Sequence, residues 1–219
     1  VTLPPDPRTN YEAHAVAEDA PRGRKHELVR QVKRLIELTA HLDIEEVEQL
    51  DDIDRIIADV VAVSDRLEPF PSLHAKGGMA ATGGDDSTLL ERSGISGLSN
   101  PLAAPLQFKV EGEKTFGWAE YSPAYEGPIG CLHGGFVAAA FDDLMGIAQT
   151  ASGRAGYTGT LTVRMRRPTP LNKRIDYEAG VSRSEGRKIW VWATAHCEDE
   201  LLAEAEILFI SPKDGSRPR

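Results

Sequence analysis

The chain has 219 residues, 41% of them hydrophobic, which suits one moderate domain with an appendage and excludes wholesale disorder. Its net charge is −9 and unevenly spread: residues 1–100 hold 19 Asp/Glu against 11 Lys/Arg, and residues 101–219 hold 15 against 14. The acidic first half speaks against non-specific nucleic-acid binding, while the near-neutral second half leaves its basic residues free for local anion binding.

Residues 1–23, rich in Pro and charge, read as an arm. From Arg24 to Leu42 the residues Leu28, Val32, Leu35, Ile36 and Leu42 recur at helical spacing. Asp43 reads as the N-cap of a second helix whose face carries Val47, Leu50, Ile53, Ile57, Val60 and Leu67, and which Pro69 and Pro71 end. The pair predicts an N-terminal αα-hairpin within residues 1–69, with an apolar stripe that needs a partner or its own copy across a dimer. Residues 70–105, with Gly77-Gly78 and Gly83-Gly84, read as a linker or a loop running over the domain surface. None of their glycine clusters has a P-loop lysine or follows a strand, and Ser96 lacks the spacing of a nucleophile elbow.

A domain is expected over residues 106–212, with a tail at 213–219. Strand patterns begin at Gln107 and run again from Thr115 to Tyr121. Four more follow the central helix, at Thr158–Arg167, Arg174–Arg183, Lys188–Cys197 and Leu202–Ile210, and read as a four-strand meander. Trp118, Trp190 and Trp192 on these strands read as core or interface. Two cysteines, Cys131 and Cys197, are too few for a disulfide scaffold and read as small residues buried in a reducing compartment. No apolar run reaches the ~20 residues of a membrane span, and Val1–Asn10 has no signal-peptide core. A soluble cytoplasmic protein is the expectation. The six His are scattered, so no metal site is expected.

Between the second and third strands lies Gly130-Cys131-Leu132-His133-Gly134-Gly135, then the apolar run from Phe136 to Gly146. This is a glycine turn opening a helix, which Gly153 and Gly156 stop. The free N–H groups of the first turn, backed by the helix dipole, suit a polarised carbonyl oxygen. Asp142, within Ala, Phe, Leu and Met, must be satisfied, neutralised or used, with Asp143 the more exposed of the two. Asp142 follows Gly135 by seven residues on the same face, so the two stand roughly 10 Å apart along the axis. One small carbonyl group cannot meet both. Two antiparallel copies of the helix would bring the Gly135 N–H of one beside Asp142 of the other, which predicts a homodimer sharing two sites, or a dimer of dimers.

His-Gly-Gly with Asp nine positions after the His, then Thr158, then Arg166-Arg167-Pro168-Thr169-Pro170-Leu171, resembles the hotdog-fold acyl-CoA thioesterases, nearest the phenylacetate-pathway type. The resemblance covers roughly Gln107 to Ile210. It implies an α+β fold, an antiparallel sheet wrapped around one helix, and hydrolysis of acyl-CoA to free acid and CoA without a cofactor. Asp142 is then base or nucleophile and the Gly135 N–H the oxyanion donor. His133 orients the turn or the substrate, and Thr158 holds water or the carboxylate. Arg164, Arg187 and Lys188 match substrate-binding positions. The other class compatible with these residues is a non-catalytic hotdog module that binds acyl-CoA or a protein partner.

Overall fold

The computed structural model describes residues 20–72, 91–153 and 155–213. Among them six strands form one antiparallel sheet: β1 (Gln107–Glu111), β2 (Lys114–Glu120), β3 (Tyr157–Met165), β4 (Arg174–Glu185), β5 (Lys188–Cys197) and β6 (Glu200–Ile210). The spatial order is β1-β2-β4-β5-β6-β3. The expected four-strand meander is therefore corrected. β4, β5 and β6 are consecutive neighbours, but β3 pairs with β6 and not with β4. Pro168 and Pro170 interrupt pairing after β3 and the chain crosses to the far side of the meander before β4 begins.

The central helix, Gly134–Ala151, packs against all six strands, which is the hotdog arrangement. Its inward stripe is Val137, Ala140, Phe141, Leu144, Met145 and Ile147, each at most 3% exposed. These residues recur every three or four positions, as a helix buried on one face requires. They meet the inward set of the strands, where β5 alternates buried Ile189, Val191, Ala193 and Ala195 with half-buried neighbours. Trp118, Trp190 and Trp192 fall on the other face and are half-buried, not core; Arg174 and Arg183 lie over the rings of Trp118 and Trp190. β3 stands at a sheet edge and is exposed along most of its length.

Two helices precede the sheet, α1 (Pro21–Ala40) and α2 (Leu50–Leu67); the central helix is α3. A short 3₁₀ turn, Ile44–Glu46, separates the first two. Asp43 precedes this turn, not α2, and makes no side-chain cap. α1 lies on the domain through buried Val29, through His26 Nε2 at 2.7 Å from Glu91 Oε2, and through Ser122, whose hydroxyl donates to Glu37. α2 buries no residue, and the two helices do not pack along each other, so the expected hairpin is open.

Residues 73–90, including Gly77-Gly78 and Gly83-Gly84, lie outside the described residues, as does the arm at 1–19. From Glu91 onward the connection is folded onto the domain. Ala103 and Leu106 are buried, and the Ser99 hydroxyl donates to the buried Glu91 carboxylate. Among the described residues no helix is long and apolar enough to cross a membrane.

Candidate active site

The turn before α3 is built from its own backbone. The Gly127 N–H donates to Cys131 O, Cys131 N–H to Pro128 O, Leu132 N–H to Thr169 O and His133 N–H to Tyr125 O. Gly127 has to be glycine because a Cβ there would lie 2.7 Å from His133 Cα. An aromatic pile supports the turn from beneath: the Tyr125 ring stands edge-on to Tyr121 at 5.7 Å and to Phe136 at 4.9 Å.

His133 is the N-cap of α3. Its Nδ1 accepts the Gly135 N–H at 2.9 Å, so the ring must carry its proton on Nε2. The amide singled out from the sequence as oxyanion donor is therefore occupied by the neighbouring imidazole. Gly134 N–H, one residue earlier, makes no hydrogen bond among the described residues. Above it sits Met165, whose Cε would be 2.9 Å from a Cβ at Gly134. Which of the two adjacent glycines offers a free donor is set by the rotamer of the N-cap side chain.

Two turns along, the exposure expected of the acid pair is reversed. Asp142 is exposed and Asp143 half-buried. Asp143 accepts from the hydroxyls of Ser96, at 2.5 Å, and Ser93, at 3.4 Å, and so joins the covering segment to the helix. Asp142 accepts from Thr158 Oγ1 at 2.9 Å. Thr158 is brought there by β3, next to a register shift between Thr158 and Thr160. Around Asp142, Gly135, Ala138, Ala139 and Gly146 leave the outward face of α3 narrow and only partly covered.

The seven residues singled out from the sequence fall into two groups. Thr158 lies at the start of β3, with Asp142 of α3 hydrogen-bonded to it. Lys188 pairs with Ile210, which also pairs with Tyr157, so Lys188 and Arg187 lie at this same end of the sheet. Arg187 Nε donates to Ser211 O at 2.7 Å and both basic residues are exposed. His133, Gly135 and Arg164 lie toward the other end of β3, where Met165 meets Gly134. Arg164 and Arg166 both bind Glu204 on β6, and the Arg166 hydrogen bond, with both guanidinium charges, holds that carboxyl below the usual range. An open cleft of about 1070 Å³ lies beside this end, lined by Arg166, Arg167, Lys173 and the Cys197–Leu201 turn; it includes neither Asp142 nor Thr158. Cys131 is half-buried and Cys197 buried, both as free thiols. No cluster of His, Cys, Asp or Glu among the described residues could hold a metal ion.

No family model matches the chain. It is 33% identical over 90 residues to acyl-coenzyme A thioesterase THEM4 of Xenopus laevis, an alignment covering 40% of each chain. The same identity over 90 residues relates it to acyl-coenzyme A thioesterase THEM4 of Bos taurus, covering 40% of this chain and 37% of that one. The matched region thus spans about two fifths of the length of these relatives. Among solved structures, a thioesterase superfamily protein superposes with a TM-score of 0.71 at 21% identity, covering 85% of this chain and 94% of the other. That superposition shows a shared fold.

Proposed function

We propose that this protein hydrolyses acyl-CoA thioesters to a free carboxylic acid and CoA. The observation that carries the proposal is the Thr158–Asp142 hydrogen bond on the open face of α3. It fixes a carboxylate on the open face of α3, where the N-terminal amide of a second copy of that helix can polarise a carbonyl. The THEM4 relatives, named as acyl-CoA thioesterases, support the reaction class.

In the proposed reaction Asp142 serves one of two routes. It takes a proton from water as the water adds to the thioester carbon, or it adds to that carbon itself. In the second route CoA thiolate leaves a mixed anhydride, which water then opens. Either way the carbonyl oxygen becomes an oxyanion that needs an N–H donor. The helix start lies too far along the same α3, so the donor comes from α3 of a second copy. The donor is an amide of the Gly134-Gly135 turn: Gly134 as the turn stands, or Gly135 with the His133 ring rotated away. Two features support a homodimer of this kind: the small-residue face of α3 and the exposed edge strand β3. Arg187 and Lys188, exposed at the Asp142 end, are the proposed phosphate contacts, with Arg164 a further substrate contact near the helix start.

The test is release of free thiol from a panel of acyl-CoAs of increasing chain length, read with a colorimetric thiol reagent. Turnover of at least one substrate, lost in Asp142→Asn, is the expected result. Tight acyl-CoA binding without thiol release would instead assign the chain to the non-catalytic class.

A further inference from the structure

The first two helices carry a second pattern that the candidate active site does not use. In α1 the positions Leu28, Gln31, Leu35, Leu38 and, just past its end, Leu42 alternate by three and four. In α2 the positions Ile53, Ile56, Val60, Val63 and Leu67 do the same. This is the spacing of a coiled-coil seam. Apart from Gln31 and the half-buried Ile53, every one of these side chains is between 39% and 60% exposed. The helices match in length, at 20 and 18 residues, and oppose each other in charge. α1 holds six Lys/Arg against two Glu, while α2 holds five Asp against two Arg.

The flanking charges choose a direction. With the seams antiparallel and Leu38 set opposite Ile53, Leu35 meets Ile56 and Leu28 meets Val63. The positions beside the seam then bring Arg34 to Asp59, Glu27 to Arg66 and His41 to Asp52. All three pairs are of opposite sign once His41 is protonated, and two are so in any case. In a parallel pairing the flanking partners of Glu27 and Arg34 would be Ile57 and Ser64, which carry no charge. The pairs Glu27–Arg30 and Asp52–Arg55 within each helix are exposed and leave the antiparallel arrangement open.

We infer that α2 of one copy docks antiparallel along α1 of a second copy, and α2 of the second along α1 of the first. Within one chain α1 is held to the domain by its adjacent face, through Val29, His26 and Glu37. α2 stands away from it and buries nothing. The complementary seam is therefore offered by another copy, and the reciprocal exchange closes on a two-fold axis without leaving a free end. The inference does not rest on the chemistry proposed for Asp142.

The experiment co-expresses two differently tagged full-length copies, one Leu38→Cys and the other Ile53→Cys, and applies mild oxidation. A disulfide-linked species carrying both tags is expected, because opposed seam residues place their Cβ atoms within bonding reach. Parent copies, which retain Cys131 and Cys197, set the background. Leu28→Cys paired with Ile53→Cys is ten residues out of register, roughly 15 Å, and should give several-fold less product. A single chain carrying both Leu38→Cys and Ile53→Cys that closes on itself, with no product between tags, would show α2 folding back on its own α1 and overturn the inference. No product in either format would overturn it equally. Arg34→Asp should lower the cross-linked yield several-fold, and Asp59→Arg in the other copy should restore it; loss without restoration would rule out the antiparallel pairing.

Discussion

Thr158 Oγ1 meets Asp142 Oδ1 at 2.9 Å, joining the start of an edge strand to the middle of the central helix. The hydroxyl donates and the carboxylate accepts, so one Asp142 oxygen is fixed while the side chain as a whole stays exposed. Its neighbour Asp143 is tied on the opposite side, to Ser93 and Ser96.

The two acids therefore separate cleanly under mutation. Asp142→Asn should lower kcat for thioester hydrolysis by ~10²–10⁴ with KM nearly unchanged, since a general base or nucleophile is lost while size is kept. Asp143→Asn should leave kcat close to the parent and lower the melting temperature, because hydrogen bonds from Ser96 and Ser93 to a half-buried carboxylate are worth about 1–3 kcal/mol. Equal losses of kcat in both variants would remove the distinction.

Thr158→Ser keeps the hydroxyl and should retain most activity. Thr158→Ala removes the donor to a charged acceptor, worth about 1.5–3 kcal/mol, and should cost roughly 10- to 100-fold in kcat. Steady-state kinetics on the two variants decide this. An inactive Ser variant would mean that the methyl group, not the hydrogen bond, matters at this position.

Gly134→Pro offers a narrow test of the shared site. Proline is tolerated at the first helical residue, and His133 before it already has φ −62° and ψ 130°, which suits a residue preceding proline. The substitution removes the N–H, and the flexible end of Met165 is the group that must give way. With Gly134 as the donor, homodimers of Gly134→Pro and of Asp142→Asn should both be inactive; full activity in Gly134→Pro homodimers would assign the donor to Gly135 instead. Mixed dimers hold one doubly damaged site and one intact site, and should recover about half of the parent activity per heterodimer. Heterodimers that form and stay inactive would place donor and carboxylate within one chain.

Tyr121 and Tyr177 share a buried hydrogen bond, hydroxyl to hydroxyl, at 3.0 Å. Burial raises both phenols, Tyr121 to about 12 and Tyr177 well above its ordinary value. The folded state thus keeps protons that the unfolded chain releases near pH 10. Their stabilising effect is complete below about pH 10 and is lost as pH rises through the folded value near 12. Tyrosinate absorbance should show these two rings ionising only with alkaline unfolding. Normal titration of all five tyrosines in the folded protein would contradict this.

Much of the domain was legible because its signals are local. Alternation along β5 and the three-and-four spacing from Val137 to Ile147 each depend on one element facing one core. The place of β3 was not legible, since strand order is decided by how the chain crosses after Pro168 and not by the pattern inside the strand. The pair of acids misled for a related reason. An apolar surround in sequence suggests burial for Asp142, but in space the residues beside it are the small ones on the outward face of α3. The Thr158 hydroxyl is an expectation of the family resemblance, whereas the serines that bind Asp143 lie about fifty positions earlier in an irregular segment with no periodic signal. The His133 bond to Gly135 could have been anticipated, since a side-chain acceptor directly before a helix commonly takes the amide two residues on.

The segment that starts at Glu91 links His26 at one end to Asp143 at the other, through the Glu91–Ser99 bond and the Ser96 hydroxyl. It works as a splint. The turn of α3 carrying Asp142 is braced from outside by residues whose own footing is α1, so the sheet and its helix are tied to chain that precedes the first strand. Cutting the chain at Gln107 would keep every strand and every residue of the proposed reaction, yet strip the brace from the turn carrying Asp142 and lay open the surface beneath Ala103 and Leu106. For this chain the smallest piece worth expressing begins upstream of His26.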